Sequence, residues 1–163
     1  MTAGTKNQPV NQTVVEADPD LPTITVVREF DAPRERVHRA WTDPVLVPQW
    51  LGPHGTKIEL LTWDVRTGGS YRYSATDSDE NTVYFYGSFH EIRPDRLVQT
   101  FTFEGYPDGV SLDTLTLEEL DGGRTRATIV SLVENLRTRD MILASGMSKG
   151  VIEGYEKLDA LLS

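Results

Sequence analysis

From residue 56 onward the hydrophobic period of this chain changes from helical to two, and it stays at two through six successive segments. These are Lys57 to Val65, Ser70 to Thr76, Thr82 to Ile92, Arg96 to Glu104, Val110 to Leu120 and Arg124 to Val133. The joints between them carry turn chemistry: Gly68-Gly69, Asp77-Ser78-Asp79-Glu80-Asn81, Pro94-Asp95, Gly105-Tyr106-Pro107-Asp108-Gly109 and Asp121-Gly122-Gly123. Connections this short leave no room for a parallel crossover, so the segments are predicted to pair as an antiparallel meander. Such a sheet must bury one face, and it will curl around whatever element is large enough to fill it.

The chain offers that element at its C-terminal end. Arg139 to Leu162 reads as one long helix, with Met141, Ala144, Met147, Val151, Tyr155, Leu158 and Leu162 spaced three or four apart on one face. Thr138 is the expected N-cap, and Asp140 suits the positive end of the helix dipole. Beside the apolar face lie Gly146, Gly150 and Gly154, each costing about 1 kcal/mol relative to alanine in a helix interior. Either the stripe permits close backbone packing, or the missing side chains leave room for a ligand beneath the helix.

Ahead of the meander, Thr23 to Phe30 reads as a first strand, with Ile24, Val26 and Phe30 on one face. Asp31-Ala32-Pro33 then starts a helix with Val37, Ala40 and Trp41 as its apolar stripe. Asp43-Pro44 repeats the signal, but Pro48 keeps the second helix short or broken, and Trp50 to Gly55 follows as a loop. Residues 1–20 are polar and lack a repeating apolar face, so they read as an extension to a domain spanning 21–163.

A chain of 163 residues suits one domain with one core. The net charge of −9 and the pI near 4.8 argue against nucleic acid or an anionic membrane surface as the main partner. Zero cysteines exclude disulfides, thiolate metal sites and a cysteine nucleophile. No stretch approaches the length of a membrane-inserting span, and no secretory pattern opens the chain, so a cytoplasmic location is expected.

Several motifs then stand in an order that resembles a known superfamily. They are Asp31-Ala32-Pro33, Ala40-Trp41-Thr42-Asp43-Pro44, Trp50-Leu51-Gly52-Pro53, Asp64-Val65-Arg66-Thr67-Gly68-Gly69, and Ser145-Gly146-Met147 with Gly150. Gly87, Glu91 and Pro94, Phe103-Glu104-Gly105, and Gly122-Gly123-Arg124-Thr125-Arg126 extend the match. Together they resemble the SRPBCC superfamily, and within it the group related to the C-terminal domain of the activator of Hsp90 ATPase. The resemblance implies the α+β helix-grip fold of START domains, Bet v 1-like proteins and polyketide cyclases. In that fold a seven-stranded curved antiparallel sheet wraps a long C-terminal helix, two short helices join strands 1 and 2, and a cavity takes an apolar or aromatic ligand. Two positions depart from the family pattern: Val151 stands where tryptophan is usual, and Pro48 interrupts a helix that usually runs on.

The residues expected to line such a cavity are Trp50, Tyr71, Tyr73, Tyr84, Tyr86, His90, Phe101, Phe103, Met147, Val151 and Tyr155. By alternation Tyr71 and Tyr73 share a face, and so do Tyr84, Tyr86 and His90. His90 is a candidate general base near neutral pH, with a solvent-face histidine as the plainer alternative. Asp64 is a candidate catalytic carboxylate, although the segment Asp64-x-Arg66-x-Gly68-Gly69 also reads as an ion pair before a sharp strand reversal. His38, His54 and His90 show no metal-ligand spacing, so neither a metal nor another cofactor is expected. No nucleophile elbow, P-loop or dinucleotide fingerprint is present.

The preferred expectation is therefore non-catalytic binding of a hydrophobic or aromatic small molecule between the terminal helix and the sheet. The alternatives are a polyketide-cyclase-like or hydrolase-like enzyme using the same cavity, or an Hsp90-cofactor-like protein-interaction module. A second copy of the chain and an Hsp90-type chaperone stay open as protein partners.

Overall fold

The computed structural model describes residues 12–163, and the strand pattern of the sequence is realised in it almost segment by segment. In chain order the elements are β1 (Val14–Ala17), β2 (Thr23–Phe30), α1 (Arg34–Thr42), α2 (Val47–Trp50) and β3 (Lys57–Trp63). They continue with β4 (Ser70–Thr76), β5 (Thr82–Arg93), β6 (Arg96–Phe103), β7 (Val110–Leu120), β8 (Arg124–Leu132), α3 (Leu136–Ala144) and α4 (Met147–Leu162). The sheet order is β1-β2-β8-β7-β6-β5-β4-β3, every pairing antiparallel. A curved sheet gripping a C-terminal helix is the helix-grip α+β fold.

The sheet has eight strands rather than seven. Val14–Ala17, inside the segment expected to be a tail, pairs with β2 and forms the edge. Its short length hid it, because four residues show no usable alternation. The rest of the expected extension, residues 1–11, lies outside the described residues.

The C-terminal helix is also not continuous. Ser145 ends α3, and Gly146 takes φ 85°, a left-handed backbone that glycine adopts without a side-chain penalty. The break turns α3 off the axis of α4, so Met141 and Ala144 leave the apolar stripe and are exposed, while Tyr155, Leu158 and Leu162 stay buried. The N-cap is Asn135, not Thr138: its side-chain oxygen accepts from the Thr138 N–H at 2.8 Å.

The three helical glycines have different duties. At Gly154 a Cβ would stand 3.0 Å from the Trp50 carbonyl oxygen, so this position lets α4 lie against the end of α2. At Gly150 a Cβ would meet only the Pro53 ring, at 3.5 Å. Pro48 sits in the first turn of α2, which ends after four residues as the sequence indicates.

Two tryptophans hold α1 in place. The Trp50 indole N–H donates to the Ala40 carbonyl, and that of Trp63 donates to the Thr42 carbonyl, both at 2.8 Å. Each satisfies an orphan carbonyl in the last turn of a helix. Trp41, Trp50, Phe30 and Tyr155 then pack ring against ring with centroids 4.9–6.1 Å apart.

Candidate functional site

The inward face of the sheet is set by alternation, and its register arranges the inward residues in rows. One row runs Leu97, Leu115, Ile129, Val26 across β6, β7, β8 and β2, wholly apolar. The next row runs Phe89, Gln99, Asp113, Ser131, Ile24 across β5 to β2, with three polar residues at its centre. The row joins two clusters at its ends: Ile24 belongs to the one that α4 shares with Val26, Phe30, Leu115 and Leu117, and Phe89 to a second, largely aromatic one with Ile58, Tyr71 and Tyr73.

Packing differs along the inner face. Around Phe30, Leu117 and Leu158 the inward side chains are fully buried. Phe85, Gln99, Phe101, Asp113, Ile129 and Ser131 also face inward, yet each keeps part of its surface accessible, as do Met147 and Val151 on α4. Inward side chains are therefore fully buried around Phe30, Leu117 and Leu158, and only partly buried along the polar row.

Tyr71 is placed there by a glycine. A Cβ at Gly87 would fall 2.0 Å from the Thr100 carbonyl oxygen and 2.6 Å from the Tyr71 hydroxyl, so the ring crosses β5 only because position 87 has no side chain. The hydroxyl donates to the Thr100 carbonyl at 2.5 Å and accepts from the Gln99 amide at 3.2 Å. Tyr73 stacks between Tyr71 and Phe85, and Phe85 stacks on Phe101.

Asp113 is the charge-bearing member of the row. Ser111 donates to its Oδ1 at 3.0 Å, and the Ser131 hydroxyl also supports the carboxylate. Burial outweighs these bonds and pushes the carboxyl above the usual carboxylate range. Its field is felt at Tyr71, Tyr73 and Tyr155, whose hydroxyls burial and the nearby carboxylate hold firmly protonated. Arg28, turned inward from β2, acts on Tyr155 in the opposite sense, but its own guanidinium is engaged by Asp159 of α4 at 3.2 Å.

Of the residues expected to line a cavity, Tyr71, Tyr73, Phe101, Met147, Val151 and Tyr155 face the interior. Phe103 stands at the rim against Phe85, 39% exposed. Trp50 belongs to the buried cluster of Phe30 and Leu158, its indole already bonded. Tyr84, Tyr86 and His90 do share a face, but it is the outer one: all three are exposed, and Tyr84 lies under the Arg72 guanidinium at 4.5 Å. Alternation says which residues lie together and is silent about which side is inside. His90 is moreover the unpaired residue of a β-bulge between Phe89 and Glu91.

Asp64 is ion-paired with Arg66 at 2.9 Å in the exposed reversal before β4, so it does not reach the interior either. Among the other histidines, His54 lies 3.3 Å from Glu156 at the surface, while the Nε2 of His38 is buried with no hydrogen-bond partner among the described residues. The polar row itself was missed. A signal existed: Gln99, Asp113 and Ser131 each fall on the apolar side of their own strand's alternation, beside Leu97, Leu115 and Ile129.

Among the described residues no group of three His, Cys, Asp or Glu side chains is placed to hold a metal, and no helix is long and apolar enough to cross a membrane. The family model described as activator of Hsp90 ATPase homolog 1-like protein matches residues 31–163. A solution structure of a protein from Arthrobacter aurescens is 32% identical, with TM-score 0.84, over 91% of this chain and 90% of the other. The crystal structure of Ms6760 from Mycobacterium smegmatis is 30% identical with the same TM-score of 0.84, over 95% and 98%. CalU16 from Micromonospora echinospora, at 19% identity and TM-score 0.59, shares the fold. No curated protein matches the sequence.

Proposed function

Taking as premise that the chain belongs to the activator of Hsp90 ATPase homolog 1-like family, we propose that it binds a hydrophobic or aromatic small molecule between α4 and the β5–β8 half of the sheet. One observation carries this reading: inward-facing Phe85, Phe101, Ile129, Met147 and Val151 keep accessible surface, while the same face is sealed around Phe30 and Leu158. Apolar surface left accessible inside a fold is unspent binding energy, about 25 cal/mol per Å2 once a ligand covers it. The aromatic run Tyr73, Phe85, Phe101 supplies a flat wall, and the polar row orients what lies on it.

The test is titration with N-phenylnaphthylamine, a neutral dye that brightens in apolar sites, together with native mass spectrometry of the freshly purified protein. Saturable one-to-one binding is expected, weakened about tenfold in Val151→Trp, which enlarges a partly accessible side chain of α4, and also weakened in Phe101→Ala, which removes part of the wall. Dye binding that ignores both substitutions sinks the proposal.

A second reading has an observation of its own. Val110, Leu112, Val130 and Leu132 lie together on the outer face of β7 and β8, 36–47% exposed, a contiguous apolar patch such as protein partners cover. Leu112→Lys should then abolish stimulation of an Hsp90-type ATPase while sparing dye binding; no stimulation by the unaltered protein removes this reading. A reaction in the cavity would have to draw on groups other than Asp64 and His90, since both lie outside the grip.

A further inference from the structure

The polar row raises a question that stability alone does not answer: why a carboxylate sits there. Asp113 lies on the inner face with part of its surface accessible, and among the described residues the influences on its carboxyl are burial and two serine hydroxyls, none of them a cation. A carboxylate has about four acceptor sites, so two hydroxyl donors leave it underfilled. Its cross-strand neighbour Gln99 directs its amide N–H to Tyr71 instead, and Arg28 is committed to Asp159. The walls beside it are aromatic, through Tyr73, Phe85 and Phe101. Burying a lone carboxylate costs stability unless something supplies the missing donors and charge.

We propose that the ligand is a lipophilic amine, its protonated nitrogen donating to the free lone pairs of Asp113 and its apolar body lying along the Phe85–Phe101 wall. The inference rests on the cavity reading above and goes further by assigning the chemical class and the residue that selects it. An ammonium meets both needs of the site at once, since it fills the acceptor positions and cancels the charge. The aromatic faces add to the attraction for a cation and give none to an anion. A carboxylate ligand would face Asp113 as a like charge.

Three molecules of one shape separate the possibilities: naphthylmethylamine, naphthalenemethanol and naphthoate, each measured by competition with N-phenylnaphthylamine and by calorimetry. The amine is expected to bind about tenfold more tightly than the alcohol, and the carboxylate more weakly than either. Asp113→Asn, nearly isosteric, should erase the amine's advantage and leave the alcohol within about twofold, whereas the surface control Asp64→Asn changes nothing. The advantage should also fade on acidification as Asp113 takes up its proton. The other ionisable side chains sensing it, Tyr71, Tyr73 and Tyr155, remain neutral throughout. Naphthoate binding as well as the amine, or Asp113→Asn lowering amine and alcohol alike, overturns the assignment while the cavity stands. Binding by none of the three, and none by the dye, overturns the cavity and this inference together.

Discussion

At the scale of single residues, two carboxylates answer acid in opposite ways because their surroundings differ. Asp113 has a folded-state pKa above its ordinary 3.8, so the folded protein holds that proton more tightly than the unfolded chain does. Its ionisation therefore subtracts stability as pH rises through the window from 3.8 up to the raised value. Asp113→Asn is expected to raise stability at pH 7 by about 1 kcal/mol, with the gain disappearing below the ordinary carboxylate range, as urea unfolding across pH will show. Glu29 is the reverse. Arg126 and Arg124 hold its carboxyl below the ordinary 4.5, so its contribution is complete above that value and is lost as pH falls through the depressed one. Glycines make a second residue-level contrast. Gly150→Ala adds a methyl with ordinary clearance at Pro53 and should stabilise by up to about 1 kcal/mol through helix propensity. Gly154→Ala presses on the Trp50 carbonyl at 3.0 Å and should destabilise by about 1–3 kcal/mol, read as opposite shifts in Tm.

At the scale of elements, the joints between strands and helices rest on a few charged groups with defined geometry. Glu29 of β2 accepts from Arg124 and Arg126 of β8 at 3.0 and 2.8 Å while only 15% exposed, which pins the register of that pair at its outer face. Glu29→Gln should cost about 1 kcal/mol near neutral pH and almost nothing in acid, where the native carboxylate is itself protonated. Arg28 ties β2 to α4 through Asp159, and its Nε is buried with no partner among the described residues, so this joint trades some hydrogen bonding for position. Arg139, 8% exposed, ties α3 back to the turn ahead of β2 by donating to the carbonyls of Asp18 and Leu21. That anchor and the left-handed Gly146 together explain why α3 folds over the edge of the grip instead of extending α4.

At the scale of the whole molecule, β1 shields the edge of β2, which would otherwise present unpaired backbone groups to other chains. Removing residues 1–17 should lower Tm by several degrees, about 2–4 °C per kcal/mol lost in a domain of this size, and should promote self-association visible by light scattering. The strand pattern from Lys57 to Val133 was legible in the sequence because an antiparallel sheet buried on one face must alternate, and because its turns need glycine, proline and aspartate. The observed strands depart from that reading by no more than two residues at either end. The break at Ser145-Gly146 was less visible, since helical spacing continues through it and only the backbone angle of Gly146 reveals the bend. The site was legible only as pairs. Alternation put Tyr71 with Tyr73 and Tyr84 with Tyr86, but which pair faced the interior depended on how eight strands curve together, a property no single strand encodes. Asp113 shows the same division at one position. Its own strand places it on the side of Leu115 and Leu117, a fact of periodicity. That Gln99 and Ser131 flank it, that among the described residues no basic side chain neutralises it and that aromatic rings stand beside it follow from register across β5 to β8. Local periodicity thus determined the elements and their faces, while tertiary structure alone decided which face became the interior, because burial depends on residues distant in sequence.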